Sequence, residues 1–150
     1  MSIYATDSSI KMLQKLFDYL GEYGGTITTS DPIAWPTFDL EVHVARDNKK
    51  TILIGFYNTL NGDVIFSPEF SIMLTLDKGI ITQAEIIHCI QQSIFGEIMI
   101  DSNDMLFTYV NPAEKDSIGL EKRFSSFMKE IQNGPYFEAS CKIERYEDET

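Results

Sequence analysis

Apolar residues recur at three- and four-residue steps in two stretches of this chain and at two-residue steps through most of the remainder. Ile10, Leu13, Leu16, Phe17 and Leu20 follow the first pattern, which predicts an amphipathic helix capped by Ser8 or Ser9. Gly21-Glu22-Tyr23-Gly24-Gly25 ends it, since glycine takes the left-handed conformation that stops a helix. Asp31-Pro32 and Trp35-Pro36 break regular structure, because a proline pushes the residue before it out of the helical region. A short strand and a loop are expected between residues 26 and 36.

From Thr37 the period is two. Phe38, Leu40, Val42 and Val44 alternate with Thr37, Asp39, Glu41 and His43, giving a strand with one apolar and one polar face. Arg46-Asp47-Asn48-Lys49-Lys50 forms a charged turn, and residues 51 to 57 suit a partner strand. Asn61-Gly62 is a hairpin signal, as these residues reach positive φ at low cost. Val64-Ile65-Phe66 is interrupted at Ser67-Pro68 and resumes over residues 69 to 76, after which Asp77-Lys78-Gly79 turns again.

Residues 80 to 95 satisfy both periods. Ile80, Ala84, Ile87, Ile90 and Ile94 fit a helix face, whereas Ala84, Ile86, His88 and Ile90 fit alternation. The four isoleucines between positions 80 and 87 tip the balance to a strand pairing back onto residues 69 to 76. A hairpin over residues 94–100 and 105–110 follows, then a helix from about Ser117 to Gln132 with Leu120, Phe124, Phe127, Met128 and Ile131 on one face. Residues 137 to 143 alternate as a last strand, and residues 144–150 read as a flexible acidic tail. The expected architecture is a single α+β domain over residues 1–150: a curved antiparallel sheet of hairpins packed by an N-terminal and a C-terminal helix. This order of elements leaves no place for the crossovers of a doubly wound nucleotide-binding fold, and no phosphate-binding glycine loop is present.

Composition narrows the function. With 43% hydrophobic residues, ten Phe and seven Tyr, the chain has the means to fold around its own core. The 23 acidic residues against 12 basic ones, a net charge of −11, argue against binding to nucleic-acid phosphates or anionic membranes. The start lacks a secretory signal and no apolar run has membrane-spanning length, so a cytoplasmic protein is expected. Cys89 and Cys141 are too few for a disulfide framework and lack metal-ligand spacing.

Candidate chemistry is sparse. His43 falls on a polar strand face, and His88 and Cys89, being strand neighbours, point to opposite faces and cannot act as a nucleophile and base. No catalytic residue, metal site or cofactor is identified. A pair such as Asp63 with Glu69 could in principle do acid and base work or hold a hard cation, but nothing in the spacing singles it out: Asp63 completes the Asn61-Gly62 turn and Glu69 follows Pro68 at a strand start. Asp101, Asn103 and Asp104 read as a hairpin tip, because the glycine and terminal glutamate of a calcium loop are missing. Interfaces favour Trp and Tyr, which makes Trp35, Phe56, Tyr57, Tyr109 and Tyr136 candidates for an exposed contact patch. Asn61, Asp63 and Glu69 join Trp35, Tyr57, Tyr109 and Tyr136 as its proposed binding residues. The acids spread almost evenly, with modest concentrations at 97–121 and in the tail, so mimicry of nucleic acid is not indicated.

Tyr23-Gly24-Gly25, Phe56-Tyr57-Asn58-Thr59-Leu60-Asn61-Gly62-Asp63, Ser67-Pro68-Glu69-Phe70 and Gln91-Gln92-Ser93-Ile94-Phe95-Gly96 together resemble an uncharacterised bacterial family. Its members are small single-domain proteins of phages, plasmids and conjugative elements. The resemblance implies a tyrosine-rich strand, an Asn-Gly-Asp turn, an Asp-Pro-Glu step, a glycine-centred strand and a C-terminal helix. The chain departs from it at Ser67, where the pattern has Asp. No activity comes with the resemblance. The function expected first is a non-enzymatic accessory protein of a mobile element that contacts a basic protein, inhibition of a host-defence or nucleic-acid-handling protein being one form. An immunity protein neutralising a basic toxin and a small carboxylate enzyme are the alternatives.

Overall fold

The computed structural model describes residues 2–60, 63–93, 96–101, 106–108 and 119–147. Helix α1 (Asp7–Leu20) opens the chain, followed by β1 (Gly24–Thr28), β2 (Thr37–Arg46), β3 (Lys49–Leu60), β4 (Asp63–Asp77) and β5 (Ile80–Ser93). Then come β6 (Gly96–Asp101), β7 (Leu106–Thr108), helix α2 (Leu120–Asn133) and β8 (Lys142–Arg145). Among the described residues the strands form one sheet in the order β7-β6-β5-β4-β3-β2-β1-β8. Every neighbouring pair is antiparallel. From β1 to β7 the sheet is a meander, and β8 returns after α2 to extend it beyond β1. The α+β class with a helix near each end is therefore as the sequence predicts.

Helix α1 buries Met12, Leu13, Leu16, Phe17 and Leu20, one stripe at helical spacing. Its cap is Thr6, not Ser8 or Ser9: the Thr6 Oγ1 accepts the Ser9 N–H at 3.2 Å. Gly21, at φ 103°, ends the helix and donates its N–H to the Phe17 carbonyl. Helix α2 buries the five apolar residues that its periodicity selects. Phe124 and Phe127 meet Phe70, Phe127 also meets Phe38 and Phe56, and Tyr136 stacks on Phe56 at 5.4 Å. These rings join Ile27, Leu40, Ile52, Ile54, Ile72, Leu74, Ala84 and Ile86 in one core between the helices and the sheet.

Three expectations need correction. Ser67-Pro68 does not split the strand: β4 runs through it, with both residues bulged opposite the single Phe56. A proline is accommodated there because a bulge leaves ladder positions unpaired. Residues 137 to 141 are turns rather than strand, closed by Glu138 N–H to the Pro135 carbonyl and Cys141 N–H to the Glu138 carbonyl. The chain needs these turns to descend from the helix layer to the sheet edge, and pairing begins only at Lys142. Glu144 and Arg145 lie in β8 and the Tyr146 N–H donates to the Gly24 carbonyl, so the supposed tail is docked as far as Tyr146. Asn61 and Gly62 lie outside the described residues, as do most of residues 102–118; the flanking pair Leu60 and Asp63 closes the β3–β4 ladder.

Candidate functional site

Strand alternation that sends one set of side chains into the core sends a second set to the face turned away from both helices. One cross-strand row on that face runs Glu144, Thr26, Asp39, Gly55, Glu69 and Ile90. The next runs Gly24, Glu41, Leu53, Ser71 and His88. On the other side Thr37 pairs with Tyr57 and Tyr57 with Phe66. Four carboxylates, Asp39, Glu41, Glu69 and Glu144, are thus collected from β2, β4 and β8. Gly55 leaves a gap between Asp39 and Glu69 that only glycine fits, since a Cβ there would lie 2.3 Å from the Pro68 carbonyl oxygen.

Asp39 is the centre of this group. It is only 7% exposed, and the Tyr146 hydroxyl donates to its Oδ1 at 2.5 Å. Burial pushes its carboxyl up to about 7 from an ordinary 3.8; Glu41 and Glu69 add to the rise, and the Tyr146 hydrogen bond opposes it. Burial and Glu41 also raise Glu69. Tyr57 is raised by burial and by the charges of Asp39, Glu144 and Glu41. Among the described residues the ion pair of this face is Glu41 with His43 at 3.1 Å. Burial lowers the pKa of His88, so it supplies little compensating charge near neutrality; among the described residues its buried Nδ1 has no hydrogen-bond partner.

An apolar loop stands at the end of the same face. Ile33 is 97% exposed and Trp35 36% exposed. Trp35 leans edge-on against Tyr136, while Pro32 and Ile33 line a cleft of about 390 Å³ with Thr37, Tyr57 and Asn58. The loop is tied down by hydrogen bonds: Trp35 N–H to the Asp31 carbonyl, Ala34 N–H to Asp31 Oδ1, Thr29 Oγ1 to the Trp35 carbonyl and the Tyr136 hydroxyl to the Pro36 carbonyl.

Of the contact residues proposed from the sequence, Tyr57 and Glu69 lie on this face and Trp35 in the loop beside it. Tyr136 does not belong: it is 0% exposed, with its hydroxyl spent on Pro36, and Phe56 is likewise core. Asn61 and Tyr109 lie outside the described residues, and Asp63 starts β4 at the far end of its hairpin. The carboxylates that Glu69 meets are Asp39 and Glu41, which sequence reasoning placed on a polar face without joining them to it. Tyr146 and Glu144 were missed because they were read as tail. Cys89 points into the core, its thiol pushed up to about 12 by burial, and His88 points to the other face, as strand geometry requires. Among the described residues no group of three or more His, Cys, Asp or Glu is placed to hold a metal ion. No described helix is long and apolar enough to cross a membrane. No family model, curated protein or solved structure matches the chain.

Proposed function

We propose that this chain is a non-enzymatic contact protein whose sheet face turned away from the two described helices binds a protein presenting basic residues, in an accessory role on a phage or other mobile element. The observation that carries this reading is the gathering of Asp39, Glu41, Glu69 and Glu144 on one face beside Tyr57, with the His43 ring 3.1 Å from Glu41. Carboxylates held together and half-withdrawn from water repel one another, and an approaching lysine or arginine relieves that repulsion. The same negative potential steers a basic partner over distances longer than a contact. Tyr57 adds aromatic area at the edge of the patch, of the kind that anchors interfaces. A mobile-element setting rests on the sequence resemblance alone. A host protein that handles nucleic acid and a secreted basic toxin both have the required chemistry.

The test compares the native chain with the Glu41→Gln/Glu69→Gln/Glu144→Gln variant, each immobilised and exposed to a bacterial lysate at low and high salt, with mass-spectrometric identification. The expected capture is enriched in basic proteins, released by salt and lost in the variant. Capture that ignores both salt and the three substitutions refutes the reading. The substituted side chains are outside the core, so an unchanged thermal melt of the variant establishes that its fold is intact.

A further inference from the structure

We infer that the cleft between the residue 32–36 loop and β3 receives an apolar side chain from a linear segment of the partner, flanked in that segment by lysine or arginine. This rests on the acidic face being the partner-binding surface and adds to it what the partner must look like. The occupant follows from the two halves of the cleft. One wall is Pro32 and Ile33, and Ile33 gains nothing for the fold at 97% exposure. The opposite wall is Thr37, Tyr57 and Asn58, the end of the face on which Asp39 and Glu41 follow Thr37 along β2 and Glu144 joins Asp39 in its cross-strand row through Thr26, all three acting on Tyr57 through their charge. An apolar group entering between Ile33 and the Tyr57 ring therefore brings its chain neighbours over carboxylates, and only a basic flank is complementary to them.

The cleft is prepared for such a guest. Hydrogen bonds from Trp35, Ala34, Thr29 and Tyr136 fix the loop in the shape that holds Ile33 outward, so little further ordering is required when it is covered. Its volume of about 390 Å³ is in the range of small ligand sites and accommodates a leucine or phenylalanine side chain with part of its backbone.

The experiment uses two fluorescein-labelled peptides with lysine and arginine on both flanks, one with a central leucine and one with serine in its place. Fluorescence anisotropy is read with the native chain, Ile33→Ser and Glu41→Gln/Glu69→Gln. The native chain is expected to bind the leucine peptide roughly tenfold or more tightly than the serine peptide, the effect of burying one aliphatic side chain. Ile33→Ser should erase that difference while leaving the serine peptide unaffected; Glu41→Gln/Glu69→Gln should weaken both peptides alike. Equal binding of the two peptides, still weakened by Glu41→Gln/Glu69→Gln, overturns the cleft inference and leaves the acidic-face reading standing. Peptide binding that survives Glu41→Gln/Glu69→Gln overturns the acidic-face reading. Failure of both peptides to bind overturns the inference, as does a sedimentation experiment in which the native chain dimerises and Ile33→Ser does not, since the occupant is then a second copy.

Discussion

Replacing Asp39 by asparagine removes a titration while keeping the shape of the side chain and an oxygen to accept from Tyr146. In the folded protein burial holds the Asp39 carboxyl at about 7 instead of 3.8, so the unfolded chain releases this proton first as pH rises. Below about pH 4 the residue is protonated in both states and costs nothing. Between there and pH 7 the unfolded state alone is ionised, and the folded state loses stability steadily. Above pH 7 both are ionised and the cost levels off. A displacement of roughly three units at about 1.4 kcal/mol each sets a ceiling of about 4 kcal/mol on the loss. Urea unfolding of the native chain and Asp39→Asn at pH 5, 6, 7 and 8 reads the difference between the Asp39 cluster with and without its central charge, because groups remote from Asp39 contribute equally to both proteins. The variant should gain on the native chain across this range and be the more stable of the two at pH 8. Glu69→Gln serves as the comparison, as Glu69 is displaced in the same direction from a less buried position. Parallel stability curves for the native chain and Asp39→Asn would refute the argument, and so would a variant that loses ground as pH rises.

Two further outcomes test the packing. Phe127→Ala removes the ring that touches Phe38, Phe56, Phe70 and Phe124 at once, and should cost about 3–5 kcal/mol in chemical unfolding. Iodoacetamide at pH 8 should leave Cys89 unmodified in the folded protein, given its burial and a thiol pushed up to about 12, and modify it once urea unfolds the chain; mass spectrometry after digestion shows which.

Elements with an uninterrupted period were legible in the sequence. The residues predicted to face the core from α2 are those that do, and Phe38 and Leu40 are buried as their alternation requires. Where periodicity was ambiguous, the physical cause is bulging. In β5 the register slips at Thr82 and again at Ile87, so the core-facing residues are Ile81, Ala84, Ile86 and Cys89. Steps of three, two and three imitate a helix, and only the isoleucine content pointed to a strand. The last strand failed for a different reason: residues 137 to 141 alternate, yet Phe137 alternates against Tyr19 from within a set of turns. Alternation describes which side chains find apolar neighbours, and a turn supplies those as readily as a ladder does.

The carboxylate group was hidden by two other bulges, in β2 and β4. Counting back from the turn pair Arg46 and Lys49 sets Asp39 opposite the core residue Phe56 instead of Gly55. The extra residue His43 slips the register by one and brings Asp39 opposite Gly55; the bulge at Ser67-Pro68 does the same for Glu69. Each irregularity is invisible in composition, and both are needed before the acids meet.

What results is a face that opposes the fold's own stability in two places. Asp39 is buried where its charge is costly, and Ile33 is held in water by a loop built with specific hydrogen bonds. Asparagine at one position and a polar residue at the other would satisfy folding alone at least as well. Both costs reverse under one condition. A cation set beside Asp39 draws its carboxyl back toward the ordinary range, so the destabilisation present in the isolated chain becomes affinity for that cation. An apolar group covering Ile33 takes its exposed surface out of water. Because Tyr57 borders the cleft on one side and the carboxylates on the other, the partner proposed above would reach both with a single short segment. The two misplaced residues are therefore more simply explained together, by one basic and apolar ligand, than as separate accidents of the fold.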